Sequence, residues 1–567
     1  MFRMKSAGTA VGMFLLSPWA GFWADAETRP TVEATVDPVS DVAKLRHDFI
    51  SGDYGLQLVR VSEFERQAIA LLDEAPLRLG PLSSAILDLS QVNLVGQLAA
   101  LRYYEFVESD QADEHRVQVD LIATAMSKGR SGSESSPYRA HSVAEARALV
   151  EHGGGKSIGS IYTIGEESTF LARISVLRDG KPLTYQYFDL TPYRRVMERM
   201  EERAAQHQAS GLRPGLLGMM MQMGDTTARL TMGQVLLQDG RPADALRVLE
   251  PARASDNALV DPLLARAYRG VASQTAGDGR KELLDSAVHH LYQASASGYD
   301  SAMRELAHFH FSSFIEDGSG AEGLVLLELA ANRGNRAAAL EMALHLAGGT
   351  FGAIDRSRAD AMIGDQLNDP PTSEQRTLAK QLLLPDAYGY ALPSTSALAR
   401  YAPTERQSEV ADLAVKWLKS AARNDADLLV LLAQMYARGA YVDQSFRKAR
   451  SHFRRAARLD PDDPELVNNI AWTLAVTHHE RLRNPRFALR IMVPMMNNDE
   501  DAGSSPAYID TLAAIHAALG SFAEAVKLQR RAIAIAAREG YPEGMLTELQ
   551  ERLAAFEERQ AVIDAVP

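Results

Sequence analysis

Residues Gly155 to Gly159 have the spacing most suggestive of chemistry, because they match the G-x-S-x-G pattern of a nucleophilic serine. Such a serine lies on a strand-to-helix turn within a large parallel sheet. Here the hydrophobic pattern predicts a helix before these residues and a strand after them. They also lack the earlier glycine of a phosphate-binding loop, since Val150 occupies its place. We therefore interpret the stretch as a glycine-rich helix-to-strand turn without a catalytic residue.

An enzyme within residues 41–205 is the alternative that the sequence leaves open. Ser157 and Asp189, together with the Gly/Ser-rich loop at residues 127–136, are its candidate residues. The remainder of the chain would then serve as a targeting arm. A polar cluster lining a pocket would favour this enzyme, whereas a filled core would count against it.

Histidines occur in close groups whose spacing bears on metal binding. Two ligands on one helix face need to be three or four residues apart. The groups here are adjacent or two residues apart: His289 with His290, His308 with His310, and His478 with His479. We therefore predict structural or surface histidines, with no metal and no other cofactor.

Four methionines stand together at Met219, Met220, Met221 and Met223. Clustered thioethers can bind Cu(I), so a copper-binding protein is a further alternative function. Consecutive residues of a helix point around its whole circumference, however, and methionine is a common filler of helix interfaces. The pattern therefore favours packing.

Two pairs of adjacent arginines, Arg454 with Arg455 and Arg530 with Arg531, lie on the polar faces of predicted helices. Their simplest interpretation is solvated faces, or ion pairs between neighbouring units. The functional alternative is a partner groove that recognises an acidic tail or an anionic polymer. Too few aromatic residues accompany them for the stacking platforms that bind single-stranded nucleic acid.

The composition of the 567 residues excludes several classes of site. The absence of cysteine excludes disulfides, thiolate metal sites and a cysteine nucleophile. The formal net charge of −13 disfavours binding to nucleic-acid backbones. A hydrophobic content of 46% is ordinary for a folded chain. The length fits several domains or one elongated repeat body.

The first 26 residues have the pattern of an export signal. Arg3 and Lys5 precede a short apolar run from Ala7 to Leu16, and small residues at Ala24 and Ala26 form a cleavage pattern. The run is shorter than the roughly 20 residues that span a bilayer. We therefore expect cleavage near Ala26 and a periplasmic or secreted chain. An uncleaved N-terminal membrane anchor is the alternative.

The next segments predict a flexible lead-in at residues 27–40 and an α+β domain at residues 41–205. Up to about residue 127, apolar residues recur at helical spacing. A linker with the methionine-rich helix follows at residues 206–225. This N-terminal domain resembles no family that we recognise.

Within that domain the hydrophobic period changes to two. Residues 157–164, 170–177 and 183–190 predict three strands of an antiparallel sheet. Asp179 and Gly180 predict a tight type I′ turn between the last two. Such a sheet must pack on helices, because a lone hairpin is marginally stable.

A helix-sized segment then occurs twice, 35 residues apart. Leu418, Ala421, Ala422 and Arg423 recur as Phe453, Ala456, Ala457 and Arg458, with an apolar helix closed by Gly439 between the copies. Leu291, Leu327 and Ile363 likewise recur at steps of 36 residues. A period in this range, built from paired helices, predicts a solenoid. We place it at residues 226–545, with a proline-rich interruption at about 369–395 and a capping helix and tail at 546–567.

Two stretches, residues 226–257 and 508–536, place small residues where paired helices must touch. These and the recurring segments resemble tetratricopeptide and Sel-one-like repeats over about residues 226–540. The predicted repeat contacts are Gly233, Ala245, Leu249, Leu291, Leu327, Leu418, Ala421, Gly439, Phe453, Ala456, Ala513, Gly520, Ala525 and Ala532.

The predicted fold is therefore mainly α, an α-solenoid of helix-turn-helix repeats preceded by a small α+β domain with an antiparallel sheet. The resemblance implies a non-enzymatic scaffold whose concave groove binds an extended segment or a helix of another protein. It also implies envelope assembly, secretion or polysaccharide export as settings, and it names no partner. We expect no nucleic acid and no membrane span after signal cleavage.

Overall fold

The computed structural model describes residues 37–51, 55–72, 74–165, 168–207, 215–312, 314–315, 319–384, 397–498 and 500–563. The predicted signal sequence and most of the predicted lead-in lie outside these ranges and stay predictions. None of the described helices is long and apolar enough to cross a membrane. The chain folds into two compact units.

The first compact unit contains the described residues up to Ser131 together with Tyr138–Leu149. Its elements are α1 (Pro38–Ser51), α2 (Gly55–Ile69), α3 (Leu79–Leu89), α4 (Leu94–Phe106), α5 (Gln111–Ser127), the short strand β1 (Tyr138–Arg139) and most of α6 (Val143–His152). Ile86, Leu94 and Ile122 are fully buried at the centre of this unit, where α4 packs between α3 and α5.

A buried ion pair ties the ends of this unit together. Both oxygens of Glu145 accept hydrogen bonds from the Arg46 guanidinium at 2.8 Å, and Arg46 also donates to the carbonyl of Val92 at 2.8 Å. Glu145 further accepts from the backbone N–H groups of Leu94 and His141. Burial by itself raises the pKa of Glu145, yet Arg46, His141 and these hydrogen bonds lower it below its ordinary value.

A second buried carboxyl, Glu65, lies beside this pair. One of its oxygens accepts from the Asn93 side chain at 2.5 Å. Burial, and next the charge of Glu145, raise the pKa of Glu65 from 4.5 to about 7. The first unit therefore contains a carboxyl that is neutral in mildly acidic solution and ionises near neutral pH.

The second compact unit begins with the sheet. Its strands β2 (Lys156–Ile164), β3 (Phe170–Leu177) and β4 (Thr184–Asp189) are neighbours in the order β4-β3-β2 and pair antiparallel. The predicted antiparallel sheet is thus confirmed. The sheet packs with the repeats in one unit, whereas the sequence analysis grouped it with the preceding helices in residues 41–205.

The predicted type I′ turn is wrong. Such a turn needs positive φ at both central residues, and of the two only Gly180 has one, at 67°. The backbone N–H of Lys181 donates to the carbonyl of Arg178 at 3.0 Å, which closes a four-residue turn at residues 178–181. Strand β4 begins only at Thr184, so further loop separates the turn from the strand. The hairpin tip is longer than the local sequence suggests.

The remaining elements are helices, and most of them form pairs. Two precede the repeats, α7 (Thr191–His207) and α8 (Leu216–Gln222). The pairs are α9 (Thr226–Gln238) with α10 (Pro242–Leu249), α11 (Val260–Gln274) with α12 (Asp278–Ala296), α13 (Asp300–Phe311) with α14 (Gly320–Asn332), α15 (Arg336–Gly348) with α16 (Arg356–Gln366), α17 (Ser373–Leu383) with α18 (Gln407–Ala421), α19 (Ala426–Arg438) with α20 (Phe446–Leu459), α21 (Pro464–Val476) with α22 (Pro485–Asn498), and α24 (Pro506–Ala518) with α25 (Phe522–Arg538). The short α23 (Glu500–Ser504) and the terminal α26 (Glu543–Glu557) complete the chain. The predicted helix-turn-helix solenoid is confirmed.

The predicted proline-rich interruption at about 369–395 contains a repeat helix, α17 (Ser373–Leu383). Helix α17 packs against α15 and α19, as the first helix of a pair does, and α18 packs against α16, as a second helix does. The segment between α17 and α18 is an insertion within this pair, and its residues 385–396 are outside the described ranges. The repeat therefore continues through this region instead of stopping and resuming.

Close approach of α9 and α10 depends on a missing side chain. A Cβ atom at Gly233 would lie 2.4 Å from a methyl carbon of Leu249, which is fully buried. In contrast, Gly364 in α16 is exposed, and a Cβ there would meet nothing within 4 Å. The two helical glycines therefore differ in packing while sharing a low helix propensity.

We predict that Gly233→Ala destabilises the chain, because the overlap with Leu249 costs about 1 to 3 kcal/mol and outweighs the gain in helix propensity. Gly364→Ala is the matched control, and it should stabilise by about 0.5 to 1 kcal/mol. Urea unfolding followed by circular dichroism measures both. Equal effects of the two substitutions would contradict the packing argument.

Replacement of Glu65 by Gln should change how the stability of the first unit depends on pH. A carboxyl whose pKa is raised by folding stabilises fully below about pH 4.5, and this contribution is lost as the pH rises through about 7. Glu65→Gln cannot ionise, so at pH 8 it should be more stable than the parent by about 2 to 3 kcal/mol. At pH 5 most of this advantage should disappear.

The measurement is urea unfolding at both pH values, followed by a fluorophore on a single introduced cysteine, Glu114→Cys, on the exposed side of α5. The chain has no other cysteine, so labelling is unique. The exposed Glu74→Gln is the control. A difference that stays the same at pH 5 and pH 8 would refute the assignment to Glu65.

Candidate protein-binding surfaces of the repeats

The outer edge of strand β2 is bound by side chains of the first repeats. Asn257 accepts a hydrogen bond from the backbone N–H of Ser160 at 3.2 Å and donates to the carbonyl of the same residue at 3.0 Å. The hydroxyl of Thr231 accepts from the backbone N–H of Tyr162 at 2.9 Å. An unpaired strand edge otherwise invites pairing with another chain. The repeats therefore satisfy the edge with side chains.

Further bonds extend this contact in both directions along the strand. The backbone N–H of Ala258 donates to the carbonyl of Ile158 at 2.9 Å. The phenol of Tyr162 donates to Asp225, the N-cap residue of α9, at 2.9 Å. The approach is close because a Cβ at Gly159 would lie 2.4 Å from the hydroxyl of Tyr299. The repeats thus hold an extended segment largely through its backbone.

The hairpin continues this contact over later repeats. Ile158 shares one hydrophobic cluster with Leu291 and Tyr299 of the second and third pairs, and Leu177 and Leu183 pack against this cluster. The hairpin therefore packs on the second and third helix pairs.

A second surface is strongly basic. We call Arg447, Arg450, Arg454 and Arg458 of α20, with Arg486 and Arg490 of α22, the basic surface. All except the half-buried Arg450 are exposed. Helix α20 contains six arginine and lysine residues and no acidic residue. Within the described part of the chain, no carboxylate forms a salt bridge with any residue of this surface.

Aromatic rings fix the positions of several of these cations. The guanidinium groups of Arg454 and Arg490 lie 5.7 Å and 5.0 Å from the ring centre of Phe487, which itself is buried. Cation–π contacts of this kind hold arginine side chains in place. The basic surface is thereby continuous from α20 to α22.

A similar contact lies on the other flank of α20. Tyr436 stacks on His452 at 5.5 Å and has the ammonium of Lys448 at 4.8 Å. Burial, and next the charges of Arg455 and Lys448, lower the pKa of His452. The environment of this histidine therefore disfavours a further positive charge.

The four arginines predicted for a partner groove have different roles. Arg454 belongs to the basic surface. Arg455 donates to the carbonyl of Arg423, and Arg531 to the carbonyl of Gly503 at 2.9 Å. The fourth, Arg530, forms an ion pair with Glu557 of α26 at 2.7 Å. All four lie on the second helices of their pairs.

The predicted repeat positions lie mainly in the contacts between helices. The fully buried ones are Ala245, Leu249, Leu291, Leu327, Leu418, Phe453, Ala456, Ala513, Ala525 and Ala532, and Gly233 is also buried. Ala421 is half-buried at the end of α18. Gly439 ends α19, and Gly520 lies in the turn before α25, both with positive φ. Gly439 and Gly520 therefore allow the turns between helices, whereas the buried positions set the spacing between paired helices.

The candidate catalytic residues are not brought together. Ser157 is buried on antiparallel strand β2, and its hydroxyl has no hydrogen-bond partner among the described residues. Asp189 accepts from the backbone N–H of Thr191 at the start of α7. A nucleophile needs a base within hydrogen-bond reach and an exposed oxygen, and Ser157 has neither.

The candidate copper ligands are spread around α8. Met219 and Met220 are buried, whereas Met221 and Met223 are half-buried. The four side chains therefore differ in burial, as expected for consecutive residues that point around the helix circumference. Helix α8 packs on α7 and α9.

The histidines have partners within the fold. His290 hydrogen-bonds to Asp261 at 2.8 Å, and His308 to Glu341 at 2.7 Å. Glu341 is buried and also accepts from Arg304 at 2.6 Å, so it joins α13 to α15. Across the described ranges, no three His, Asp or Glu residues are placed to hold a metal ion.

Sequence reasoning missed the residues that matter most here. Asn257 lies in a turn, and no local pattern marks it as a partner of a strand 97 residues away. For the basic surface a signal existed, since α20 is the segment in which Arg447, Arg450 and Arg458 accompany the arginine pair without one acidic residue.

No family model matches the chain, and no curated protein matches it. Among solved structures, the chain is similar to a Sel1 repeat protein from Oxalobacter formigenes, with 16% identity, 48% of this chain and 100% of that chain covered, and a TM-score of 0.26. It is also similar to a protective antigen of uropathogenic Escherichia coli strains that displays an SLR fold, with 12% identity, 92% and 95% covered, and a TM-score of 0.31. Because these TM-scores are low, the repeat architecture is supported by the helix pairs themselves and not by these similarities.

We predict that Asn257→Ala loosens strand β2. The substitution leaves the N–H and the carbonyl of Ser160 buried without partners, which costs about 2 to 4 kcal/mol. Hydrogen exchange of the peptides that contain β2 should become faster, and the urea midpoint of the second unit should fall. Asn332→Ala, at an exposed position at the end of α14, is the control. Unchanged exchange in β2 would show that Asn257 is not what holds the strand.

Proposed function

We propose that this chain is an exported scaffold that binds another protein through its helical repeats and performs no catalytic step. The partner would lie in the envelope or outside the cell, in keeping with the export signal predicted for residues 1–26. Repeat stacks of this kind bind through long surfaces to which many units contribute. The proposal takes no cofactor and no nucleic acid.

One observation carries this proposal. The repeats already hold an extended polypeptide, because side chains of Asn257 and Thr231 bind the backbone of β2. Backbone-directed contacts of this type are how extended segments are recognised on protein surfaces. The contacts of β2 and its hairpin with the repeats involve the pairs from α9 to α14. The later repeats are helix pairs of the same kind and provide further surface for binding.

The buried state of Ser157 supports the non-enzymatic part of the proposal. Its hydroxyl is enclosed in a filled sheet face, and Ile158 and Ile161 beside it are also buried. A filled core at this place was the feature expected to count against an enzyme.

Site-specific cross-linking of the full chain tests the proposal. A photoreactive residue is placed at Ser451 on α20 or at Asn497 on α22, both exposed, and at Glu114 on α5 as the control. We expect the chain in the envelope or extracellular fraction, with one discrete protein adduct from the repeat sites and not from Glu114. A chain confined to the cytoplasm, or the absence of a protein adduct from both repeat sites, would contradict the proposal.

A further inference from the structure

The ion pairs of the other second helices show how unusual the basic surface is. Arg358 of α16 pairs with Glu328 of α14 at 2.5 Å, and Lys416 of α18 pairs with Asp360 of α16 at 2.9 Å. Farther along, Arg530 of α25 pairs with Glu557. Second helices before and after α20 and α22 therefore carry cations that pair with carboxylates of neighbouring helices. The basic surface interrupts this pattern.

The interruption has an electrostatic cost within the free protein. Arg447, Arg450, Arg454 and Arg458 follow one another at spacings of three or four residues and therefore share one face of α20. Like charges at these spacings destabilise a helix by a few tenths of a kcal/mol per pair. Among the described residues, no carboxylate lies within salt-bridge distance of these four guanidinium groups. In a chain whose formal net charge is −13, such a cluster points to a ligand that supplies the missing negative charge.

The geometry fits a short run of carboxylates. With a rise of 1.5 Å per residue, Arg447 and Arg458 are about 16 Å apart along the helix. Arg486 and Arg490 of α22 form a second row, linked to the first across Phe487. Guanidinium groups bind carboxylates through two parallel hydrogen bonds. Two rows of such groups can contact side chains on both sides of an extended acidic segment.

Nucleic acid fits this surface less well. Binding of single strands uses exposed aromatic rings on which bases stack. The rings that contact the cations of α20 and α22 are Phe487 and Tyr436, which are both buried. The net negative charge of the chain also repels a densely charged backbone more than it repels a few carboxylates.

We propose that the basic surface on α20 and α22 binds an acidic polypeptide segment, a run of Asp and Glu residues in the partner protein. This rests on the proposed function, because it names the class of partner for the same repeats. Glu and Asp side chains of the partner take the places that the neighbouring carboxylates occupy on the other second helices.

The experiment uses the full chain and a fluorescent oligoglutamate peptide of about six residues, since an extended chain spans roughly 3.3 Å per residue. The triple variant Arg450→Gln, Arg454→Gln, Arg458→Gln should weaken binding at least about tenfold, as expected for the loss of charge-assisted bonds. The control variant Arg358→Gln, Lys416→Gln, Arg530→Gln removes the same charge from paired positions and should leave the affinity near that of the parent. Binding should weaken with added salt and disappear for the matched oligoglutamine peptide.

A further readout separates a binding defect from a folding defect. The triple variant removes like-charge repulsion, so its urea midpoint should not fall. Equal peptide affinity of the triple variant and the parent would overturn the proposal. So would tighter binding of a uronate oligosaccharide or a single-stranded oligonucleotide of matched charge.

The cross-linking experiment distinguishes a failure of the acidic-segment proposal from a failure of the proposed scaffold function. If the triple variant keeps the protein adduct seen at Ser451 or Asn497, the scaffold function stands and the acidic-segment proposal fails. If the parent chain gives no protein adduct at all, the scaffold function itself fails.

Discussion

The outer edge of strand β2, which no further strand of the described chain covers, is the constraint on which much of the second unit depends. A strand edge carries backbone groups that must find partners. Here Asn257 and Thr231, from the first repeats, supply them in place of another strand. The same contact explains why the sheet belongs with the repeats and not with the preceding helices. It also shows that a repeat surface of this chain can hold extended polypeptide.

The charges of the repeats follow from a related constraint. Stacked helices bring their polar faces side by side, so a cation on one second helix lies close to the next helix in the row. Arg358 and Lys416 meet carboxylates there, and the stack is neutral at those places. Among the described residues, Arg454, Arg455 and Arg490 on α20 and α22 contact an aromatic ring or a backbone carbonyl, not a carboxylate. The surface with unbalanced charge is therefore local and lies within two neighbouring pairs.

Local pattern was sufficient to predict the paired helices, the three strands and the buried small residues such as Gly233 and Ala245. Helical and strand periodicities are properties of a few neighbouring residues, so they can be read without knowledge of the fold. The hairpin tip was predicted too short, because its length depends on where it packs. The particular partners of Arg455, Arg530 and Arg531 could not be predicted, since they lie 27 to 32 residues away.

The sequence by itself determined that this chain forms helix pairs and an antiparallel sheet, because amphipathic periods and turn residues act locally. It also determined the acid-free composition of α20. Only the tertiary structure decided which arginines are paired with carboxylates, that the proline-rich interval contains the first helix of a pair, and that Ser157 is buried on a strand bound by the repeats. These depend on which distant segments meet, and that is set by the packing of the whole stack.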